Sequence, residues 1–168
     1  MRDVTRFRKG QLRMNEQADD IGRVARIRER RKARGMALQV LFEIDYTGHE
    51  CEPILHWLAQ EEGSTDDTVS FARNIIEGVL ENKDQLDATI ELFAPAWPVE
   101  QLASVDRNVL RIGVYEILQG QVPVRVAINE AVELAKRFGT DSSPRFVNGV
   151  LGSVHSQPNR DPLNERRS

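Results

Sequence analysis

Five cations crowd one short stretch of the chain: Arg28, Arg30, Arg31, Lys32 and Arg34. The chemistry open to such a run is electrostatic. Arginine forks onto phosphate oxygens and stacks on unpaired bases, and each cation placed on a polyanion releases condensed counterions. The run stands at the start of a helical pattern, where the positive end of the helix dipole favours acids. Folding stability alone does not account for it, although an ordinary solvated arm has the same composition. A second group is Asp141, Ser142 and Ser143, leading into Pro144, Arg145 and Phe146. A helix beginning there offers free backbone N–H groups to an anion, with hydroxyls and an arginine alongside. The alternative is plain capping chemistry, with Phe146 serving the core four residues before Val150.

Catalytic constellations are not legible. The chain has no GxGxxG, Walker, HExxH or GxSxG motif. His49, Cys51 and His56 come nearest to a metal-ligand set. With no second cluster, they read as two surface histidines and a partly buried thiol. Glu61, Glu62, Asp66 and Asp67 share a polar loop, where solvation and capping explain them. The expectation is a protein that binds and does not catalyse, with no cofactor and no metal.

The charge balance points to partners. The formal net charge of −3 divides into +7 over residues 1–35, with 12 Lys/Arg against 5 Asp/Glu, and −10 over the rest, with 11 against 21. A basic arm on an acidic body predicts a local contact with a polyanion and leaves the body for a basic protein. One cysteine, Cys51, cannot form an internal disulfide, which suits a reducing cytoplasm. The N-terminus lacks an apolar run, and no window is apolar for long enough to span a bilayer, so neither export nor insertion is expected.

The elements that must position these groups are helices. Residues 1–27 mix Arg, Asp, Gln and Gly without helical period and are expected to be a disordered basic extension; the folded domain is expected at 28–156 and a flexible tail at 157–168. From Arg28 to Tyr46, Ala33, Ala37, Val40, Leu41 and Ile44 form one stripe, and Leu38, Phe42 and Tyr46 form a neighbouring row that either is covered or meets another protein. A short second helix starts around Pro53 and carries Ile54, Leu55, Trp57 and Leu58. A third follows cap candidates Asp66 and Asp67 with Val69, Ala72, Ile75, Ile76, Val79 and Leu80, and a fourth follows Asn82 with Leu86, Ile90 and Phe93. Pro95 and Pro98 then break the chain and mark a seam between two halves. Apolar spacing continues from about Val99 to Leu118, then along Val124, Ile128, Ala131, Ala135 and Phe138 to Gly139. A last helix, with Ser143 as cap candidate and Pro144 in its first turn, buries Phe146, Val147, Val150, Leu151 and Val154. The fold class is all-α, about seven helices joined by short connections.

Three segments, RRKARGMALQVLFEID, VDRNVLRIGVYEIL and VPVRVAINEAVELAKRFGTDSSPRFVNGVLGSV, resemble the NusB family in order and separation, over about residues 28 to 155. INEAVELAK and FVNGVL carry the resemblance most specifically, whereas residues 47 to 98 match only in helical pattern. The resemblance implies two packed three-helix bundles plus one helix. It implies a transcription antitermination factor that binds boxA-type single-stranded RNA as a heterodimer with the small-subunit ribosomal protein NusE, supporting rRNA transcription within an RNA polymerase antitermination complex. By position, Arg30, Arg31, Lys32, Arg34 and Gln39 match the arginine-rich RNA segment, and Asp141, Ser142, Arg145 and Phe146 match a second RNA loop. Ser142 replaces an acid seen in some relatives. Phe42, Tyr46, Glu100 and Asp106 match the face used for NusE. An RNA-binding domain of an rRNA cytosine methyltransferase shares the fold, but the chain ends before a cofactor domain would begin. A homodimer or pure protein-interaction module with an inert arm is the other alternative.

Overall fold

A computed structural model of the protein describes residues 3–156, with side chains from Glu16 onward. The described residues form seven helices and no strand: α1 Asp3–Thr47, α2 Cys51–Glu61, α3 Asp66–Glu81, α4 Lys83–Phe93, α5 Ser104–Gln119, α6 Val124–Phe138 and α7 Ser143–Ser156, with a single 3-10 turn at Val99–Gln101. Helices α1 to α3 form one bundle and α5 to α7 another, and α1 also packs on α5. Their buried side chains make one continuous core, so the bundles are not independent units. Helix α4 packs mainly on α5 and α7 rather than on α3. The prolines at 95 and 98 therefore do not mark the packing seam that the chain break suggests.

In place of the expected disordered extension the structure has helix: α1 runs unbroken from Asp3 through the cationic stretch. Residues 16–28 are all exposed, so this part of the helix buries no apolar stripe that would give it a hydrophobic period. Gln, Ala, Arg and Glu are good helix formers, and no proline precedes Pro53. The packed segment downstream supplies the costly nucleus from which a helix extends one residue at a time. The expected tail at 157–168 lies outside the described residues.

Most apolar stripes reach the core as expected. On α1, Ala33, Ala37, Val40 and Leu41 are buried, joined by Met36, and the second row leaves the core gradually, with Leu38 2%, Phe42 38% and Tyr46 71% exposed. Trp57 and Leu80 lie outside the core. Thr65, not Asp66 or Asp67, caps α3 by accepting from the Thr68 N–H; the two acids occupy the first turn, where the dipole favours them. The long apolar stretch after Pro98 is split because Leu102 and Ala103 are extended, and α5 starts at Ser104.

Two polar clusters clamp the bundles. Arg34, on α1, is buried and donates from Nε to both carboxylate oxygens of Glu116 on α5 at 3.1 and 3.0 Å, and from Nη2 at 2.8 Å. Its Nη1 is 4.0 Å from Glu130 of α6. Lower down, Arg111 of α5 forks onto Asp87 of α4 at 2.7 and 2.8 Å and reaches Asp45 of α1 at 3.4 Å. Asp45 also accepts from Arg107 at 3.0 Å and Asn108 at 2.9 Å. Burial pushes the Asp45 carboxyl up, but the hydrogen bonds from Asn108 and Arg107 and the charges of Arg111 and Arg107 outweigh it, leaving its pKa below the ordinary value.

Removing one partner of a buried pair strands the other. Arg34→Ala is expected to lower unfolding free energy by about 3–5 kcal/mol in urea melts, while Arg31→Ala at the exposed neighbour costs about 0–1 kcal/mol. Equal small losses would show that the buried pair carries no weight. Asp45 holds its proton less tightly folded than unfolded, so its contribution is complete above the unfolded pKa of about 3.9 and disappears as pH falls through the depressed folded value. Wild-type urea midpoints should therefore drop more steeply below about pH 4 than those of Asp45→Asn; parallel pH profiles would refute the assignment.

Candidate nucleic-acid and partner interface

The rotational setting of α1 sorts its cations. Arg34 points into the protein, with its side chain 4% exposed, hydrogen-bonded to Glu116 and with Glu130 4.0 Å away. Of the cations matched to the RNA segment it is the one held inside the fold: reaching a phosphate would require breaking the buried pair and leaving the buried carboxylates uncompensated. Arg30 turns toward α3, where its guanidinium lies 4.1 Å from the centroid of the Phe71 ring and 3.8 Å from Asp67. Lys32 donates to the Glu62 carbonyl at 2.6 Å. Arg31 is 55% exposed and donates from Nε to both oxygens of Glu130 at 3.0 Å. Its Nη atoms make no hydrogen bond among the described residues. The guanidinium is thereby held at its base with a two-pronged edge facing solvent, a geometry suited to an oxyanion.

Helix α6 connects this edge to the second group. It holds Arg31 at Glu130, passes Gly35 of α1 at Arg137 and Phe138, and ends at Gly139. The turn that follows is tight. Ser143 is buried as the first residue of α7, and its hydroxyl accepts from the Thr140 N–H at 2.9 Å, so it closes the loop backward. A Cβ on Gly139 would stand 2.5 Å from that hydroxyl oxygen, which is why glycine occupies the turn. Asp141, Ser142 and Arg145 are left exposed around the start of α7. Phe146 is half-buried against the core, so its ring serves packing while part of it remains accessible.

Gln39 lies elsewhere. Its side chain donates to the Gly35 carbonyl at 3.2 Å and lines an apolar groove of about 360 Å³ with Phe42, Ile54, Trp57, Val105 and Phe138. Phe42 and Tyr46 stack beside it, ring centroids 4.9 Å apart. Glu100 is exposed on the 3-10 turn, and Asp106 stands in the first turn of α5 with one buried oxygen that has no hydrogen-bond partner among the described residues. Of the residues matched to the partner face, Phe42 lines this apolar groove, with Tyr46 beside it, and the sequence reading did not identify the groove itself. Trp57 and Val105 belong to it; the signal was Trp57, off the line of Leu55 and Leu58. Arg137 was also overlooked, because a cation in the last turn of a helix is already explained by the dipole. No group of His, Cys, Asp or Glu with metal-binding geometry occurs among the described residues, and no helix is long and apolar enough to cross a membrane.

The NusB family model matches residues 31–156. The transcription antitermination protein NusB of Dehalococcoides mccartyi (strain CBDB1) is 52% identical over 138 residues, covering 82% of this chain and 96% of that relative. T. maritima NusB has the same fold, with a TM-score of 0.71 at 33% identity, covering 83% of this chain and 97% of that one. A chain from the crystal structure of antitermination factors NusB and NusE in complex with dsRNA has a TM-score of 0.69 at 26% identity, covering 77% and 97%. The family model spans most of the sequence, and a relative matches half of its residues over nearly its whole length: the chain belongs to the NusB family.

Proposed function

We propose that the protein is an antitermination factor that binds boxA-type single-stranded RNA together with NusE and so supports rRNA transcription by RNA polymerase. The observation that carries this reading is the pair of exposed cations, Arg31 and Arg145, at the two ends of a path along α6 to the free start of α7. Phosphates bind at Arg31, Lys32 and Arg145. Bases reach the loop of Asp141 and Ser142 and stack on the accessible part of Phe146. The solved complex of NusB and NusE with RNA supports RNA and NusE as ligands, and family membership supports antitermination. NusE occupies the apolar groove beside Phe42 and Tyr46, and Glu100 on the 3-10 turn and Asp106 at the start of α5 meet its basic side chains. The protein acts by assembling this complex in the cytoplasm, with no bond made or broken.

Anisotropy titrations of a boxA-like RNA and a scrambled control, with and without NusE, test this over a range of salt. The boxA-like RNA is expected to bind more tightly than the control, and NusE to strengthen it. Arg31→Ala and Arg145→Ala should each reduce the slope of log affinity against log salt by about 0.7. Equal weak binding to both RNAs, unmoved by NusE, would refute the proposal. In pull-downs with NusE alone, Phe42→Ala with Tyr46→Ala should weaken capture by tenfold or more, on the order of 1.4 kcal/mol or above; unchanged capture would place NusE elsewhere.

A further inference from the structure

Helix α1 continues upstream of the segment the family model matches, and this added part forms one wall of a groove. Ile21, Val24, Arg28, Arg31 and Gly35 follow each other at spacings of three and four, hence along one face of the helix. That face ends against α6. A Cβ on Gly35 would stand 3.6 Å from Nη1 of Arg137 and 3.8 Å from the Phe138 ring, which places both side chains against this face of α1. Val24, Ile27, Arg28, Arg31, Lys32 and Arg137 line a groove of about 600 Å³ whose single carboxylate residue is Glu62. The Glu62 carbonyl is already engaged by Lys32. Neighbouring Lys136 is paired with Glu133 at 2.8 Å, but neither Arg28 nor Arg137 forms an ion pair among the described residues. Arg137 is held instead over Phe138, 4.8 Å from the ring centroid, so part of the entropy cost of fixing it is already met.

We propose that this groove is an additional single-stranded RNA subsite, specific to the extended α1, that takes nucleotides flanking the segment bound at Arg31 and Arg145. Arg28 and Arg137 hold the phosphates, and Val24 and Ile27 provide apolar contact for sugar and base. The inference rests on the RNA-binding reading above. Charge selects RNA over a second copy of the chain: four cations against one acid would repel their own image across a two-fold interface and attract a polyanion.

The test uses the full-length protein with a short boxA-like RNA and the same RNA lengthened at either end. Wild type is expected to bind a lengthened RNA more tightly and with steeper salt dependence. In Arg28→Ala with Arg137→Ala, the ratio of long to short affinity should fall toward one. The slope on the long RNA should decrease by about 1.4, two phosphates at about 0.7 each. Circular dichroism equal to wild type establishes that this variant is folded. If its slope and affinity on the long RNA match wild type while Arg145→Ala still weakens binding, the subsite is overturned and the proposed function stands. If wild type binds neither RNA, both fall. A concentration-dependent dimer in sedimentation velocity that Val24→Glu abolishes assigns the groove to a second copy and overturns the subsite as well.

Discussion

The guanidinium of Arg34 lies where α1, α5 and α6 meet, and the usable surface of the molecule follows from how its charge is met. A buried cation is tolerated only with carboxylates in hydrogen-bonding geometry, because desolvation costs several kcal/mol per ion. Glu116 supplies a forked partner, and Glu130 stands behind it while also holding Arg31. Two arginines and two glutamates thus compensate one another across three helices. The arrangement fixes the rotation of α1 about its axis. With Arg34 turned inward, Arg31 faces solvent beside α6 and Arg30 faces α3.

The same rotation orients the aromatic row. Leu38 is covered, Phe42 emerges and Tyr46 is exposed, so an apolar groove opens between α1, α2 and α5. Phe138 belongs to both surfaces: it lines this groove and also lies beneath Arg137 at the margin of the cationic one. A partner seated on Phe42 and RNA running past Arg137 would therefore be neighbours, sharing one rigid helix end. Such proximity lets two weak contacts reinforce each other without any conformational change.

The negative body is less uniform than its formal charge suggests. Glu116, Glu130, Asp45 and Asp87 are engaged by arginines inside the fold, and Glu52 is engaged by Arg73 at 2.6 Å on the surface. These acids do not project a free field. What reaches solvent near the cationic groove is Glu62 alone among its lining residues, which allows a basic patch to exist on a chain that is acidic overall.

Helical periodicity made the all-α architecture and the core stripes legible, because the 3.6-residue repeat is a local property of each segment, while the strings INEAVELAK and FVNGVL carried the family resemblance. Periodicity also set Leu38, Phe42 and Tyr46 apart as a second row, either covered or meeting another protein. It said nothing useful about residues 16–27, since a helix with no covered face has no apolar period to display, and propensity with a packed nucleus downstream decides its extent. The fates of the arginines were hidden for a different reason. Arg34 meets Glu116 across 82 residues of sequence and Arg31 meets Glu130 across 99, so no local pattern separates a buried arginine from a solvent-facing one three residues away. By itself the sequence determined the helices from Arg28 onward, which stripes are apolar and where positive charge is concentrated; tertiary packing alone decided which of those charges are consumed within the fold and which remain free, because burial depends on the neighbours that distant helices bring.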